Sequence, residues 1–242
     1  MKTQDPTDMV SIETKRELQE WLKGKGLYRG PVDEIIGRGT RQALLNWAEG
    51  LDGGGSLPIA TVGGVEIYRR DDGIIEFTTG MTIDADGSPH AYHPGGCPPG
   101  LDYLGNAGRP GNWWGIATHD GQPDGRPVIQ GKLDPAPGFY VSTTALINSN
   151  FGPRDPRRYI NSETVPFVVI PGGVKWARLG LGQRCRVTNL RNNKSIDAIV
   201  ADIGPRNHIG EGSIALAKAL DVPHDPRNGG VQQGIKYEIF TE

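Results

Sequence analysis

Long apolar runs are missing from this sequence. No stretch reaches the roughly 18 apolar residues that a membrane-spanning helix needs, so no span is expected. A surplus of one charge is missing too. The 26 Lys and Arg against 28 Asp and Glu leave a net charge of −2, and nothing suggests nucleic-acid binding. Cysteine is scarce. Cys97 and Cys185 could form one disulfide, but they lack the spacing of a metal site. The segment from Met1 to Pro6 has none of the apolar core of a secretory signal. There is no Gly-x-Ser-x-Gly elbow, and neither cysteine has the local context of a nucleophile, so Ser or Cys hydrolysis has no motif to support it. The glycine signatures of phosphate binding are absent as well, and no cofactor or metal is expected.

What the chain has in quantity is turn formers, 36 Gly and 19 Pro among 242 residues, which favours loops and short strands over helical bundles. From Pro58 onward short apolar runs alternate with turns. They are Val65–Tyr68, Ile74–Phe77, Met81–Ile83, Gly138–Val141, Val165–Ile170, Cys185–Thr188, Ile196–Val200 and Ile235–Phe240. This reads as a mainly β region with barrel-like spacing. Residues 10–49 read differently, as a small helical module. Leu18, Trp21 and Leu22 recur at helical spacing before Gly24 and Gly26 end the first helix, and Thr40 is the expected N-cap of a second, with Ala43, Leu44 and Trp47 inward. Gly53-Gly54-Gly55-Ser56 is a flexible linker. The expected division is a helical domain at 8–50, a linker at 51–57 and a β domain at 58–242.

The most informative stretch runs from Val200 to Leu220. An apolar strand ends at Asp202, Gly204-Pro205 stops it, and a helix begins near Ser213 with Ile214, Leu216, Ala217 and Leu220 on one face. Glu211 lies nine positions after Asp202, between Gly210 and Gly212, where an open backbone would let a long substrate approach. A turn can bring both carboxylates to one mouth. Glycosidic cleavage uses such a pair, one protonated to assist the leaving oxygen and one ionised to activate water or attack carbon. The same two residues also read as a turn cap and a complement to the helix dipole.

Other groups offer themselves as cleft lining. Ile83-Asp84-Ala85-Asp86-Gly87 has the start of a calcium loop, but Gly95 stands where such a loop needs Glu, so a paired-Asp turn capping its own backbone is favoured. His90, Tyr92 and His93 could stack on sugar faces or bond hydroxyls. Asp102-Tyr103 and the Trp113-Trp114 pair add aromatic surface among glycines, either as cleft lining or as loop packing. Glu163 stands just before a strand, as a second candidate acid, an amine partner or a solvated turn residue.

Two resemblances organise these observations. Leu18-Gln19, Leu22, Gly26-Leu27-Tyr28-Arg29-Gly30-Pro31-Val32-Asp33, Gly37 and Gly39-Thr40 through Leu44 resemble the small peptidoglycan-binding domain found beside many cell-wall hydrolases, with Asp33-Glu34 in place of that family's usual Asp-Gly. The strand, Asp-x-Gly-Pro loop and helix from Cys185 to Ala217 look like the core of double-psi β-barrel proteins such as rare lipoprotein A, expansins and family 45 endoglucanases. The sequence is more similar still to chitosanases of glycoside hydrolase family 75. That resemblance rests on Ile83–Gly87, on Tyr159–Pro166, on Asp202–Pro205 with Ile209–Ala217, and on Gly229-Gly230-Val231, and it extends over roughly residues 65–242.

The resemblance implies a six-stranded double-psi β-barrel catalytic domain preceded by a small all-α domain. It implies that Asp202 and Glu211 are an inverting catalytic pair, with Glu211 as general acid and Asp202 as base. The implied substrate is a β-1,4 amino-sugar polymer, chitosan or de-N-acetylated cell-wall glycan, cut by an endo-acting monomer. Asp84, Asp86 and Glu163 are the expected amine contacts, and His93, Tyr92 and Trp113 the expected sugar contacts. The protein would act on extracellular or periplasmic wall glycan; with no signal peptide in the sequence the export route stays open between phage lysis, a contact-dependent secretion machine and a truncated chain. Two other readings stay open: a muramidase or lytic transglycosylase acting on peptidoglycan, and a non-catalytic wall-binding or loosening protein.

Overall fold

The computed structural model describes residues 14–28, 30–48, 58–70, 72–173 and 179–241. The expected Gly-rich linker lies outside them. The chain divides into two compact units, one within Met1–Ile59 and Tyr68–Arg70, the other within Ala60–Ile67 and Asp71–Glu242.

In the first unit, α1 (Lys15–Gly24) starts at a capping box. The Thr14 hydroxyl accepts from Glu17 N, and the Glu17 carboxylate accepts from Thr14 N. Helix α2 (Arg38–Ala48) follows. Leu22, Leu27, Tyr28 and Ala43 make the buried core, flanked by Leu18, Trp21, Leu44 and Trp47. Thr40 is not the N-cap. The helix begins two residues earlier, at Arg38, and the Thr40 hydroxyl is buried inside it. The reason is Gln19, a fully buried amide. It donates to Asp33 Oδ1, Ile35 O and Thr40 Oγ1 and accepts from Asp33 N and Glu34 N, so Thr40 is spent on satisfying Gln19.

The second unit is mainly β. Strands β1 (Ala60–Val62) and β2 (Val65–Arg69), the latter within this unit as far as Ile67, form a hairpin that leads into β3 (Ile75–Asp84). The two apolar runs at Ile74–Phe77 and Met81–Ile83 are one long strand. It passes through Gly80 because β10 (Val231–Ile239) crosses so closely that a Cβ there would lie 2.3 Å from Val231 O. After β3 come α3 (Leu104–Ala107), β4 (Gly108–Arg109) and β5 (Asn112–Trp113), then β6 (Phe167–Pro171), β7 (Arg184–Asn189), β8 (Lys194–Gly204), β9 (Glu211–Ser213) and α4 (Ile214–Ala219), ahead of β10. The expected strand at Gly138–Val141 is only an isolated bridge, Ile129 to Tyr140.

Six strands close on themselves in the order β3-β10-β7-β8-β6-β9, with β9 returning to β3. The β3–β9 and β6–β8 pairs are parallel, and the other pairs around the ring are antiparallel. Ile67, Ile75, Val187, Val200, Leu216, Ile235 and Ile239, all fully buried, belong to the main core. Alternating burial along β7 follows from antiparallel strands with one face on that core. Cys185 is buried on β7 and Cys97 is half-buried in the loops, and both are free thiols.

Candidate active site

Two local devices bring Asp202 and Glu211 to one place. The first is a bulge. Strand β6 pairs Val168 with Val200 but Val169 with Asp202, so Ala201 and Asp202 together oppose Val169. Ala201 stays in an apolar cluster with Phe167 and Val169, while Asp202 opens to the cleft. The second is β9 itself. Glu211 pairs with Val169 on one side and Thr82 on the other, at the seam that closes the barrel.

Asp202 and Glu211 therefore flank the same residue of β6. Two strand spacings of about 4.8 Å set their backbones roughly 9–10 Å apart, with both side chains lining one cleft. The cleft measures about 690 Å³. The glycines beside Glu211 serve packing rather than substrate access. Gly210 has φ +96°, and a Cβ there would lie 2.5 Å from Thr79 Cγ2; one on Gly212 would lie 2.9 Å from Leu216 Cδ2. Ser213 caps α4 through Leu216 N, accepts from Phe167 N and donates to Val165 O, which pins the strand carrying Glu211.

The cleft is rich in carboxyls. Asp84, at the end of β3, accepts from Asp86 N at 2.7 Å, the self-capping turn expected from the sequence. Asp86 accepts from the Tyr92 hydroxyl at 2.6 Å, and Asp202 accepts from the backbone N–H groups of Ala145 and Ile203. One oxygen from each of Asp84, Asp86 and Asp202 lies within 4.8 Å of the others, and these three are the residues that could converge on a cation. Asp102, which the sequence marked only for the aromatic residue beside it, lines the cleft as well and is held by both oxygens to the Asn106 amide.

Burial governs how these groups hold protons. It pushes Glu211 up to about 7, with the Asp202 and Asp102 carboxylates adding to the effect. It pushes Asp202 up to about 6, against its two backbone donors, which favour the carboxylate. Asp84 and Asp86 are held well above the usual range, by burial first. For Asp84 the next cause is the Asp86 charge, and for Asp86 it is the Asp202 charge. Near neutral pH the cluster thus keeps protons that exposed carboxyls would have lost.

Of the residues marked in the sequence, Asp84, Asp86, Tyr92, Asp202 and Glu211 come together here. Asp84 and Tyr92 are nearly inaccessible, so both act on neighbouring carboxyls rather than on a bulky ligand. Trp113, His93 and Glu163 are not among the cleft-lining residues. Trp113 is buried beside Tyr140, with ring centroids 6.2 Å apart. Its neighbour Trp114 lines the cleft instead, 59% exposed and fixed by its indole N–H on Asn106 O. His93 packs edge-on against Phe139 and accepts from Gly95 N. Glu163 accepts from the Ser88 hydroxyl, pairs with His90 Nδ1 at 2.9 Å, and borders a neighbouring pocket. His208, unmarked in the sequence, lines the cleft with Nε2 3.1 Å from Thr82 Oγ1.

The sequence matches no family model and no curated protein.

Proposed function

We propose that this chain is a glycoside hydrolase that cuts β-1,4 linkages of an amino-sugar polymer with Glu211 as general acid and Asp202 as general base. The observation that carries the reading is a pair of carboxyls flanking Val169 in one cleft, both lifted toward neutrality. Glu211, with the higher value, keeps its proton longer and so suits the acid. Asp202, lower and served by two backbone donors, suits the base. Backbones two strands apart leave room between the carboxyl groups for the water that inversion requires, which needs roughly 6.5–9.5 Å. In the proposed step Asp202 takes a proton from that water as it attacks the anomeric carbon, and Glu211 gives its proton to the departing glycosidic oxygen.

The lining of the cleft supports the substrate class in this reading. Asp202, ionised above about pH 6, offers a negative charge to an amine-bearing polymer such as de-N-acetylated glycan, the proton-holding Glu211 and Asp86 offer hydrogen bonds, and the Trp114 indole offers an apolar face for a sugar ring. The closed ring with two parallel pairs supports a double-psi barrel, and the α1–α2 unit with its own core supports a separate helical wall-binding module. The test is the product. Hydrolysis by inversion releases reducing ends as the α-anomer, read by proton NMR in the first minutes. Products that lack one water would instead make the protein a lytic transglycosylase, and products released first as the β-anomer would refute inversion.

A further inference from the structure

Beside the acidic cleft lies a second pocket of about 540 Å³ whose chemistry is different. The two share the wall formed by Pro226, Arg227 and Gly229, so a ligand lying in the cleft can reach over that wall with a substituent. The pocket is bordered by α4, where Ile214 and Lys218 stand one turn apart on the same face. Ile214, Leu101 and Pro223 supply apolar surface.

Its charges are distributed unevenly. Arg227 is neutralised within the pocket by a two-pronged pair with Asp225, at 2.9 and 2.7 Å. Glu163 is engaged with Ser88 and His90. Lys218 is exposed and makes no ion pair with any described residue, so its ammonium stands beside apolar surface while the pocket's Arg227 is held by Asp225. A pure glucosamine polymer, cationic along its length, gains nothing from such a group. A polymer with an acidic substituent gains a charge-assisted hydrogen bond.

We infer that this pocket is a side subsite for a carboxylate borne by the glycan, such as the lactyl ether of a muramic-acid unit, with Lys218 as its partner. The inference rests on the glycosidase reading of the adjoining cleft and refines its substrate: a strand in which amine-bearing and carboxylate-bearing sugars alternate would lay its backbone in the acidic cleft and its acidic arm over the Arg227 wall. A short aliphatic continuation of that arm would meet Ile214 and Leu101.

The experiment uses the full chain with Glu211→Gln, so that ligands persist, and two tetrasaccharides of the same length and linkage: a glucosamine tetramer, and one with lactyl ethers on alternate units. Binding is measured by calorimetry with Lys218 intact, with Lys218→Glu and with Lys218→Arg. The expected result is about a tenfold loss of affinity for the lactyl tetramer in Lys218→Glu, recovery to within about threefold of the intact chain in Lys218→Arg, and a much smaller change for the plain tetramer, as a charge-assisted bond of ordinary strength implies. Equal changes for both ligands, no change for either, or no binding of the lactyl tetramer would overturn the inference. Turnover of either tetramer by the chain with Glu211 restored is scored separately. Its absence refutes the glycosidase reading and leaves the binding comparison intact.

Discussion

Replacing Glu211 by Gln should make the protein more stable above neutral pH and change little in acid. The native pocket pushes the Glu211 carboxyl from 4.5 to about 7, chiefly by burial. Between those values the native state holds a proton that the unfolded chain has released. Unfolding stability therefore falls as pH rises through that window, and the loss is complete above pH 7. A difference of about 2.5 units at 1.36 kcal/mol each corresponds to roughly 3 kcal/mol. Gln fills the same space and does not titrate, so it escapes that loss. The variant should match wild type near pH 4.5 and exceed it by up to about 3 kcal/mol at pH 8, on the order of 6–12 °C in melting temperature for a unit of this size. Urea unfolding at both pH values measures the difference. Parallel stability curves for the two proteins across pH 4.5–8 would refute the claim that burial holds Glu211 protonated.

Activity should follow a bell with limbs near pH 6 and pH 7, which belong to the coupled Asp202 and Glu211 pair; a profile still rising at pH 9 would contradict the assignment of Glu211 as acid. Trp114→Ala should raise KM about three- to tenfold with an unchanged melting temperature, because an exposed ring contributes roughly 0.5–1.5 kcal/mol of stacking and little to the core. Trp113→Ala should do the opposite, lowering stability by about 3 kcal/mol or more, as thermal unfolding would register. Ser213→Ala should cost about 1–3 kcal/mol and depress kcat, since it leaves Phe167 N and Leu216 N without their acceptor and loosens the strand that aims Glu211.

How far the sequence reveals this arrangement depends on which interactions are local. The β7, β8 and β10 runs announce themselves as short apolar stretches between turns, and α4 through Ser213 and its apolar face, because each signal lies within a few residues. Strand β9 does not. Three residues, one of them Gly212, carry no period, and Glu211 becomes a strand residue only because Thr82 and Val169, distant in sequence, flank it. The bulge at Ala201 is equally silent, since two residues share one partner only once β6 is in place. The choice between Trp113 and Trp114 is also invisible locally. Adjacent residues point to opposite sides, and which side faces the cleft is set by the Asn106 carbonyl that holds the Trp114 indole. Asp102 could have been found from Asn106 four residues on, an Asp–Asn spacing of one helical turn.

The central claim is that Glu211 delivers a proton in glycosidic cleavage. Its most direct test is to incubate the protein and its Glu211→Gln variant with chitosan and with de-N-acetylated peptidoglycan, and to weigh the soluble products. The account predicts oligosaccharides carrying one added water from at least one polymer, and a loss of more than a hundredfold in the variant, the scale of a general acid's contribution. Undiminished product from the variant, or no soluble sugar from either polymer with the intact protein, would contradict it.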